Sequence, residues 1–580
     1  MGVFVLVKNI ANFNKESLFS IIQKKKLNKS VEENIGNYTL YLFNSKKKKF
    51  NQFSDNEDAI YSVGTIVYKE ESYDKALQLY LNDFKNNCVN EECVYGDFIL
   101  IIRLKLTITI VRERCQISKI FHLNKNIISN SFLVTLLSSN QKFSINKQSV
   151  KENVLLGYIL NPKTIVNEIH EVYKLNGFDD LKFKYFNADK IFIKKEYNEK
   201  EVFERTIQLL NKQYTSISEA FNNKGVDIGL SGGYDSRLNL ILANKKMKVH
   251  PHSHYKERYD KDLEIAKALC EELKLELKTK KIKPFIEIEK HEDLIELLED
   301  TFYYYDGRVV LNTGFFNEIY SRKYREFITE KAEITLTGFG GEIFRNFNYQ
   351  PKGRLNIDSW FKNFVFSYYN YAAIEFTEEN RLFFENVKID ILKKLGIENE
   401  KRISFATRRL YFSDVWIPMT YAVKSFAENQ LTYFISPFIS YDIKKLSNEM
   451  NKVIAENWNF QANLIQNLSP NLAAIPSSYN FTFAEDPKLF EIKNKILNNK
   501  YSLGLKNFMQ KKRFESIVKN NTQKENMLFD EILSHIFEYI DGVKIEYIKS
   551  SINWYYNVLS VALIIKKIKE HNVRIEKLNN

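Results

Sequence analysis

Residues Asp227 to Arg237 read Asp-Ile-Gly-Leu-Ser-Gly-Gly-Tyr-Asp-Ser-Arg, an apolar strand running into a glycine-rich turn that carries a carboxylate. Gly232 and Gly233 have no Cβ, so several backbone N–H groups can approach a polyanion closely, and Ser231 and Ser236 add hydroxyl donors. The helix predicted over Leu238 to Lys245 points its positive end at the same place. Asp235 would be repelled by phosphate unless a divalent cation lay between them, so it reads as a Mg²⁺ ligand. A second strand follows at Lys246 to Ser253, and then an amphipathic helix at Tyr259 to Leu273 with Ile265, Leu269 and Leu273 on one face. Strand, turn, helix, strand and helix make a parallel βαβ unit, and ligands of such sheets sit at the carboxyl ends of the strands.

A similar turn recurs after the short apolar strand Ile334 to Leu336, where Thr335 to Asn346 reads Thr-Leu-Thr-Gly-Phe-Gly-Gly-Glu-Ile-Phe-Arg-Asn. Neither turn has the Gly-x-x-x-x-Gly-Lys-Ser/Thr spacing of the ordinary ATPase loop, so cleavage between β- and γ-phosphates is not implied. Ser-Gly-Gly-x-Asp-Ser resembles instead the loop of N-type ATP pyrophosphatases, which split ATP into AMP and pyrophosphate. The second turn is similar to the Leu-Ser/Thr-Gly-Glu/Tyr-Gly-x-Asp stretch of the asparagine synthetase and β-lactam synthetase superfamily. That resemblance implies Asp235 and Glu342 as catalytic, metal-binding acids. It implies ATP and Mg²⁺ as cofactors, held by Gly229, Leu230, Ser231, Gly232, Gly233, Asp235, Ser236, Gly338 and Phe339. Phe339 stands where the family has Glu or Tyr; it can pack against a substrate but cannot transfer a proton or donate a hydrogen bond. Arg237 replaces a small residue usual there. It is open to three roles: holding a phosphate, holding a substrate carboxylate, or pairing with an acid.

The resemblance extends along most of the chain. Gly96-Asp97-Phe98 and Val111 to His122 (Val-Arg-Glu-Arg-Cys-Gln-Ile-Ser-Lys-Ile-Phe-His) look like worn copies of segments from a glutaminase-type sandwich of two antiparallel sheets between helices. Strand-like runs at Tyr38 to Phe43, Phe98 to Leu104 and Leu106 to Val111 agree by alternation and β-branching. Gly157 to Glu171 resembles the family's connecting segment. Glutamine-using members need a cysteine exposed as N-terminal residue, whose free amine serves its own thiol as base. Here the chain reads Met1-Gly2-Val3-Phe4, and Cys88, Cys93, Cys115 and Cys270 lie elsewhere, so glutamine hydrolysis is not expected. β-Lactam synthetases and lasso-peptide cyclases share that loss. The expected fold class is α/β and α+β in two domains. Residues 1–199 form a degenerate glutaminase-like αββα sandwich. Residues 200–580 form an adenine-nucleotide α-hydrolase-like parallel sheet with added helices, entered by a helix from Lys200 to Asn223. Ser436-Pro437-Phe438-Ile439-Ser440 is similar to the family's Pro-Phe-Leu-Asp, although Leu431-Thr432-Tyr433 replaces the preceding Glu-x-Arg. The family's later catalytic lysine, which neutralises charge on the acyl-adenylate transition state, has no counterpart in Asn457 to Asp486; Lys488 is the nearest candidate.

At 580 residues the chain is long enough for two domains with ample core. The net charge of +13 is spread along the sequence with heavy use of Asn, Ile, Phe and Tyr, so Lys24 to Lys26, Lys46 to Lys49 and Lys278 to Lys281 read as solvated surface, and no nucleic-acid partner is expected. Four cysteines without Cys-x-x-Cys pairing exclude a disulfide framework and a zinc site, and the eight histidines have no ligand spacing. His252 and His254 read as strand-end residues near the nucleotide. Phe4 to Val7 is too short for a signal peptide and no apolar run spans a membrane, so a cytoplasmic enzyme is expected. Lys488 to Asn580 reads as lysine-rich amphipathic helices around Phe508, Phe529, Ile532, Ile536, Trp554 and Leu559 that pack on the synthetase core, the alternative being a partner or substrate-docking surface. The resemblance implies an AMP-forming carbon–nitrogen ligase. Its substrate is a small molecule or peptide supplying a carboxylate and an amine, and a homodimer is compatible with it. The alternatives are an ammonia-dependent asparagine synthetase and a non-catalytic nucleotide-binding protein with a decayed site. A transfer-RNA-modifying pyrophosphatase is disfavoured by the missing cysteine motif and the glutaminase-like N-terminal region.

Overall fold

A computed structural model describes residues 2–8, 12–45, 51–172, 181–185, 198–222, 224–255, 260–282, 291–309, 314–346, 350–366, 368–456, 459–485, 527–549 and 551–579. Lys46 to Lys49, Lys488 and Phe508 lie outside these residues. The fold is mixed α/β with several sheets, one of them wholly parallel.

Alternation along the strands assigns the first two sheets their faces. In Val3–Lys8, Phe4 and Leu6 enter a core shared with the second sheet, while Val3, Val5 and Val7 meet Leu18, Ile21 and Ile22 of the helix Lys15–Lys24 on the other side. In Phe98–Leu104, Ile99 and Ile101 face the first sheet, whereas Phe98, Leu100 and Ile102 pack on Ala76, Leu77, Tyr80 and Leu81 of the helix Tyr73–Lys85. The layers therefore run helix, sheet, sheet, helix. The strands expected near residues 38, 98 and 106 are Tyr38–Ser45, Phe98–Leu104 and Thr107–Arg112. Gly2 has φ +139°, and a Cβ there would lie 1.8 Å from the Phe43 carbonyl oxygen. This backbone has no room for any side chain at position 2, a cysteine included.

The parallel sheet has the order Lys278–Lys281, Val249–Tyr255, Val226–Gly229, Ile334–Leu336, Tyr433–Ile435. Gly229 pairs with His252, and Ile228 with Leu336, so the two glycine turns leave the carboxyl ends of adjacent strands. The helix expected from Lys200 is Glu199–Ala220, capped by the Asn198 side chain on Glu201 N–H. The loop helix begins earlier than expected, at Tyr234, with Gly233 as its cap. The next strand begins later, at Val249, because Lys246 and Met247 both donate back to the Ala243 carbonyl and close a turn. Strand Lys278–Lys281 is an edge on which Lys280 and Lys281 are exposed while Lys278 packs on the Phe327 ring, and exposed edge lysines discourage further strand pairing.

The apolar cores do not divide near residue 200. The largest runs from Val3 to Ile568, and another joins Val67, Tyr95, Cys115 and Ile117 to the parallel sheet. The C-terminal helix Ile552–Asn579 packs on residues 200–580 as expected, with Phe315 N–H donating to Ser560 Oγ (2.7 Å) and Phe316 stacked on Tyr556, and corrects only the expectation that it packs there alone. Trp554 Nε1 donates to Val154 O (2.6 Å), Asn557 Nδ2 to Asn153 O (3.1 Å) and Phe143 N to Asn572 Oδ1 (2.9 Å), so this helix straps the N-terminal layers. Lys25 is a second correction: amid its lysine run it is fully buried, 2.8 Å from Asp306. All four cysteines are free thiols. Among the described residues no helix is long and apolar enough to cross a membrane.

Candidate active site

Glycines bring the two turns into contact. A Cβ on Gly338 would lie 2.8 Å from the Asp235 carbonyl carbon and oxygen, and one on Gly341 would lie 2.4 Å from Asp235 Oδ1. Gly340 adopts φ +89°, which L-residues rarely take, and turns the chain so that Glu342 folds back to accept from Gly340 N–H at 3.1 Å. Arg409 fixes this second turn from beneath, donating to the carbonyls of Ile343 (2.6 Å) and Arg345 (3.1 Å).

Asp235 projects from the first turn of the loop helix. Arg345 forks it, with Nη2 at 3.0 Å from Oδ2 and Nη1 at 3.4 Å from Oδ1, and Gln461 Nε2 donates to Oδ1 at 2.7 Å. Arg345 Nη1 also donates to Gln461 Oε1 (3.1 Å), and its Nη2 stands 4.0 Å from Glu342 Oε1. Burial and the neighbouring Asp235 charge push the Glu342 carboxyl up to about 7, with Arg345 opposing them. The structure thus brings together the two acids read from the sequence, around one guanidinium. Ionisation of both acids against one guanidinium would leave a net negative charge in a largely buried place, and hard oxygen donors suit Mg²⁺. Among the described residues no group of three or more His, Cys, Asp or Glu could hold a metal. Were Mg²⁺ to bind here, Asp235 and Glu342 are the side chains that could hold it.

The loop's own polar groups are partly engaged. Ser231 N–H donates to Ser236 Oγ (3.2 Å), and the two hydroxyls lie 3.0 Å apart. Gly232 N–H donates to Asp262 Oδ1 (2.9 Å), and Gly232 O accepts from Ser478 N–H (3.0 Å). Tyr479 and Phe483 pack on Tyr234, so the segment around 478–483 lies over the loop. Leu230 is buried and donates to His252 O (2.8 Å).

Phe339 lies flat against Tyr421 at 4.8 Å and parallel to Trp416 at 6.2 Å. Trp416 in turn stacks on Phe412, both carried on a π-helical turn, Tyr411–Trp416, which spaces them for that stack. Phe339, Tyr421, Trp416 and Phe412 together build an aromatic wall.

Arg237 takes none of its three expected roles. It is fully buried, donating to the main-chain carbonyls of Leu472 (2.8 Å), Ile475 (2.7 Å) and Pro476 (2.8 Å) beneath the face of Phe483. Its task is to hold the segment that covers the loop. His252 is likewise part of a buried network: its Nδ1 lies 2.5 Å from Asp227 Oδ1, whose other oxygen is 3.1 Å from Arg325. His252 Nε2 nevertheless lies where a Cβ on Gly229 would approach it to 3.1 Å, so Gly229 keeps the strand end open beside it.

Sequence reasoning missed Arg345, Gln461, Asp262 and Tyr479. Arg345 carried a signal, being three residues after Glu342 in the same turn. Gln461 had none, because it reaches Asp235 across 226 residues.

Residues 179–301, well short of half the chain, match the family model described as NAD synthase. That family is an N-type ATP pyrophosphatase family related to the C-terminal domain of asparagine synthetase. The match takes in the first glycine turn, Ser231 to Ser236, and stops before the second. No curated protein matches the chain.

Proposed function

We propose that this chain is an ATP-dependent amide synthetase that adenylates a substrate carboxylate and passes the acyl group to an amine without hydrolysing glutamine. The observation that carries this reading is the meeting of two glycine turns at the carboxyl ends of adjacent parallel strands, with Asp235 and Glu342 around one guanidinium. The NAD synthase match supports ATP-dependent amidation chemistry in general. A carboxylate oxygen of the substrate attacks the α-phosphorus of ATP, the α–β bridging bond breaks, and pyrophosphate leaves. The amine then attacks the acyl-adenylate carbonyl, AMP leaves with the former carboxylate oxygen, and the amine loses a proton. Asp235 and Glu342 would hold Mg²⁺, which would supply charge compensation at the α-phosphoryl group. Gln461 and Arg345 fix the Asp235 carboxylate, and positioning supplies much of the remaining rate. The aromatic wall of Phe339, Trp416 and Phe412 offers the acyl donor an apolar surface and no acid or base, so proton removal from the amine falls elsewhere. Residues 1–199 act in this reading as a glutaminase-like layer without its nucleophile.

A second reading, a nucleotide site that has decayed, is favoured by one contact: Asp262 already occupies the Gly232 amide that a phosphate oxygen would use. Pyrophosphate and AMP release from ATP and Mg²⁺, measured against a panel of carboxylates and amines, separates the two. The synthetase gives substrate-dependent AMP and pyrophosphate that Asp235→Ala abolishes. ADP and orthophosphate would refute it, and absence of both turnover and ATP binding would establish the decayed site.

A further inference from the structure

Asp235 and Glu342 are two acids in one largely buried place, and Arg345 reaches both of them. Its guanidinium forks Asp235 at 3.0 and 3.4 Å and stands 4.0 Å from Glu342. A cation bound in that manner competes directly with any metal for the same oxygens. The same guanidinium also lies over the Tyr234 ring at 5.1 Å, at the first residue of the loop helix, a contact that does not depend on Asp235. Two further facts make the residue more than a structural pairing. Asn457 to Asp486, where a phosphate-neutralising lysine would be sought, has none. A planar guanidinium, moreover, takes phosphate oxygens through two parallel hydrogen bonds.

We infer that Arg345 is the internal counter-ion of the Asp235–Glu342 pair, which excludes a divalent cation until nucleotide arrives and then transfers its guanidinium from Asp235 to the nucleotide's phosphates. The inference rests on the nucleotide-site reading of the two turns and adds an order of events to it: the metal enters with the nucleotide, not before it. It also makes Arg345 a positioning residue for Asp235 in the free protein.

The test is Mn²⁺ binding to the full chain, followed by electron paramagnetic resonance, with and without ATP, in the wild type, Arg345→Met and Arg345→Lys. The wild type should bind Mn²⁺ at least ten-fold more tightly with ATP than without it. Arg345→Met should bind Mn²⁺ without ATP at least ten-fold more tightly than the wild type and hold ATP more weakly. Arg345→Lys, a point charge without the fork, should fall between them. Circular dichroism checks that each variant is folded, and the wild-type comparison stands alone if neither is. Equal Mn²⁺ affinity in wild type and Arg345→Met without ATP, while the wild type still binds Mn²⁺ with ATP, overturns the counter-ion role and leaves the synthetase reading intact. Strong nucleotide-free Mn²⁺ binding by the wild type does the same. The converse result, Mn²⁺ held by Arg345→Met alone and no ATP effect in any protein, supports the counter-ion and refutes the nucleotide site. Absence of Mn²⁺ binding under every condition overturns both.

Discussion

Asp97 is a carboxylate that the fold buries without a cation. Its Oδ2 accepts from Ser425 Oγ at 2.7 Å, and burial, followed by the charge of Glu113, pushes its carboxyl up to about 7. The sign of the consequence follows from linkage. An acid whose folded pKa exceeds its unfolded value keeps its proton in the native state while the unfolded chain has lost it, so stability falls as pH rises between the two values. Asp97 therefore opposes folding progressively from the ordinary carboxylate range near pH 4 up to about 7, by on the order of a few kcal/mol at most. Thermal midpoints at pH 5.5 and 8 should differ less in Asp97→Asn than in the wild type; an unchanged difference would mean that the carboxylate is ionised throughout. Gly341 gives a second residue-level expectation. Because a Cβ there would lie 2.4 Å from Asp235 Oδ1, Gly341→Ala should displace that carboxylate and slow pyrophosphate release by about a hundred-fold while the fold persists.

Among elements, the segment over the first glycine turn is held by Ser478 N–H on Gly232 O, by Tyr479 and Phe483 against Tyr234, and at its root by the Arg237 side chain. Arg237 binds three carbonyls of Leu472, Ile475 and Pro476, and nothing else in that turn supplies donors to them in its place among the described residues. Arg237→Met keeps the apolar stem against Phe483 and removes the donors, which should cost on the order of 3 kcal/mol. Hydrogen exchange should quicken first in residues 470–485, and uniform loss of protection across the parallel sheet would show instead that the arginine supports the whole core. The same arginine marks the limit of what was legible in the sequence. Ser231 to Ser236 and Gly338 to Glu342 could be read because their constraint is local: glycines and hydroxyls at short spacing around a turn. Partners of Arg237, Asp235 and Gly232 come from other elements, 235, 226 and 30 residues away, and no local pattern encodes them. The boundaries of the loop helix were misread for a related reason, since apolar periodicity begins at Leu238 whereas Gly233 caps the helix at Tyr234.

For the whole molecule, the decisive fact is where apolar side chains meet. Composition and motif order placed a boundary near Lys200, yet Val3, Phe132 and Leu156 share one core with Trp360, Leu559 and Ile568. Buried polar contacts cross the same line: Thr65 Oγ1 donates to Asn429 Oδ1 at 2.7 Å, and Cys115 Sγ lies 2.6 Å from the Ile439 carbonyl oxygen. An independent domain needs a core of its own, and cutting this one would expose the inner faces of the C-terminal helix and of the helix Lys147–Leu156 that it covers. Residues 1–199 and 200–580 produced separately should therefore fail to unfold cooperatively in calorimetry, and their co-expression should restore one transition. Two separate cooperative transitions from the isolated halves would instead make the shared core an interface between self-sufficient units. If the halves depend on each other, the parallel sheet needs the N-terminal layers to cover its apolar surface.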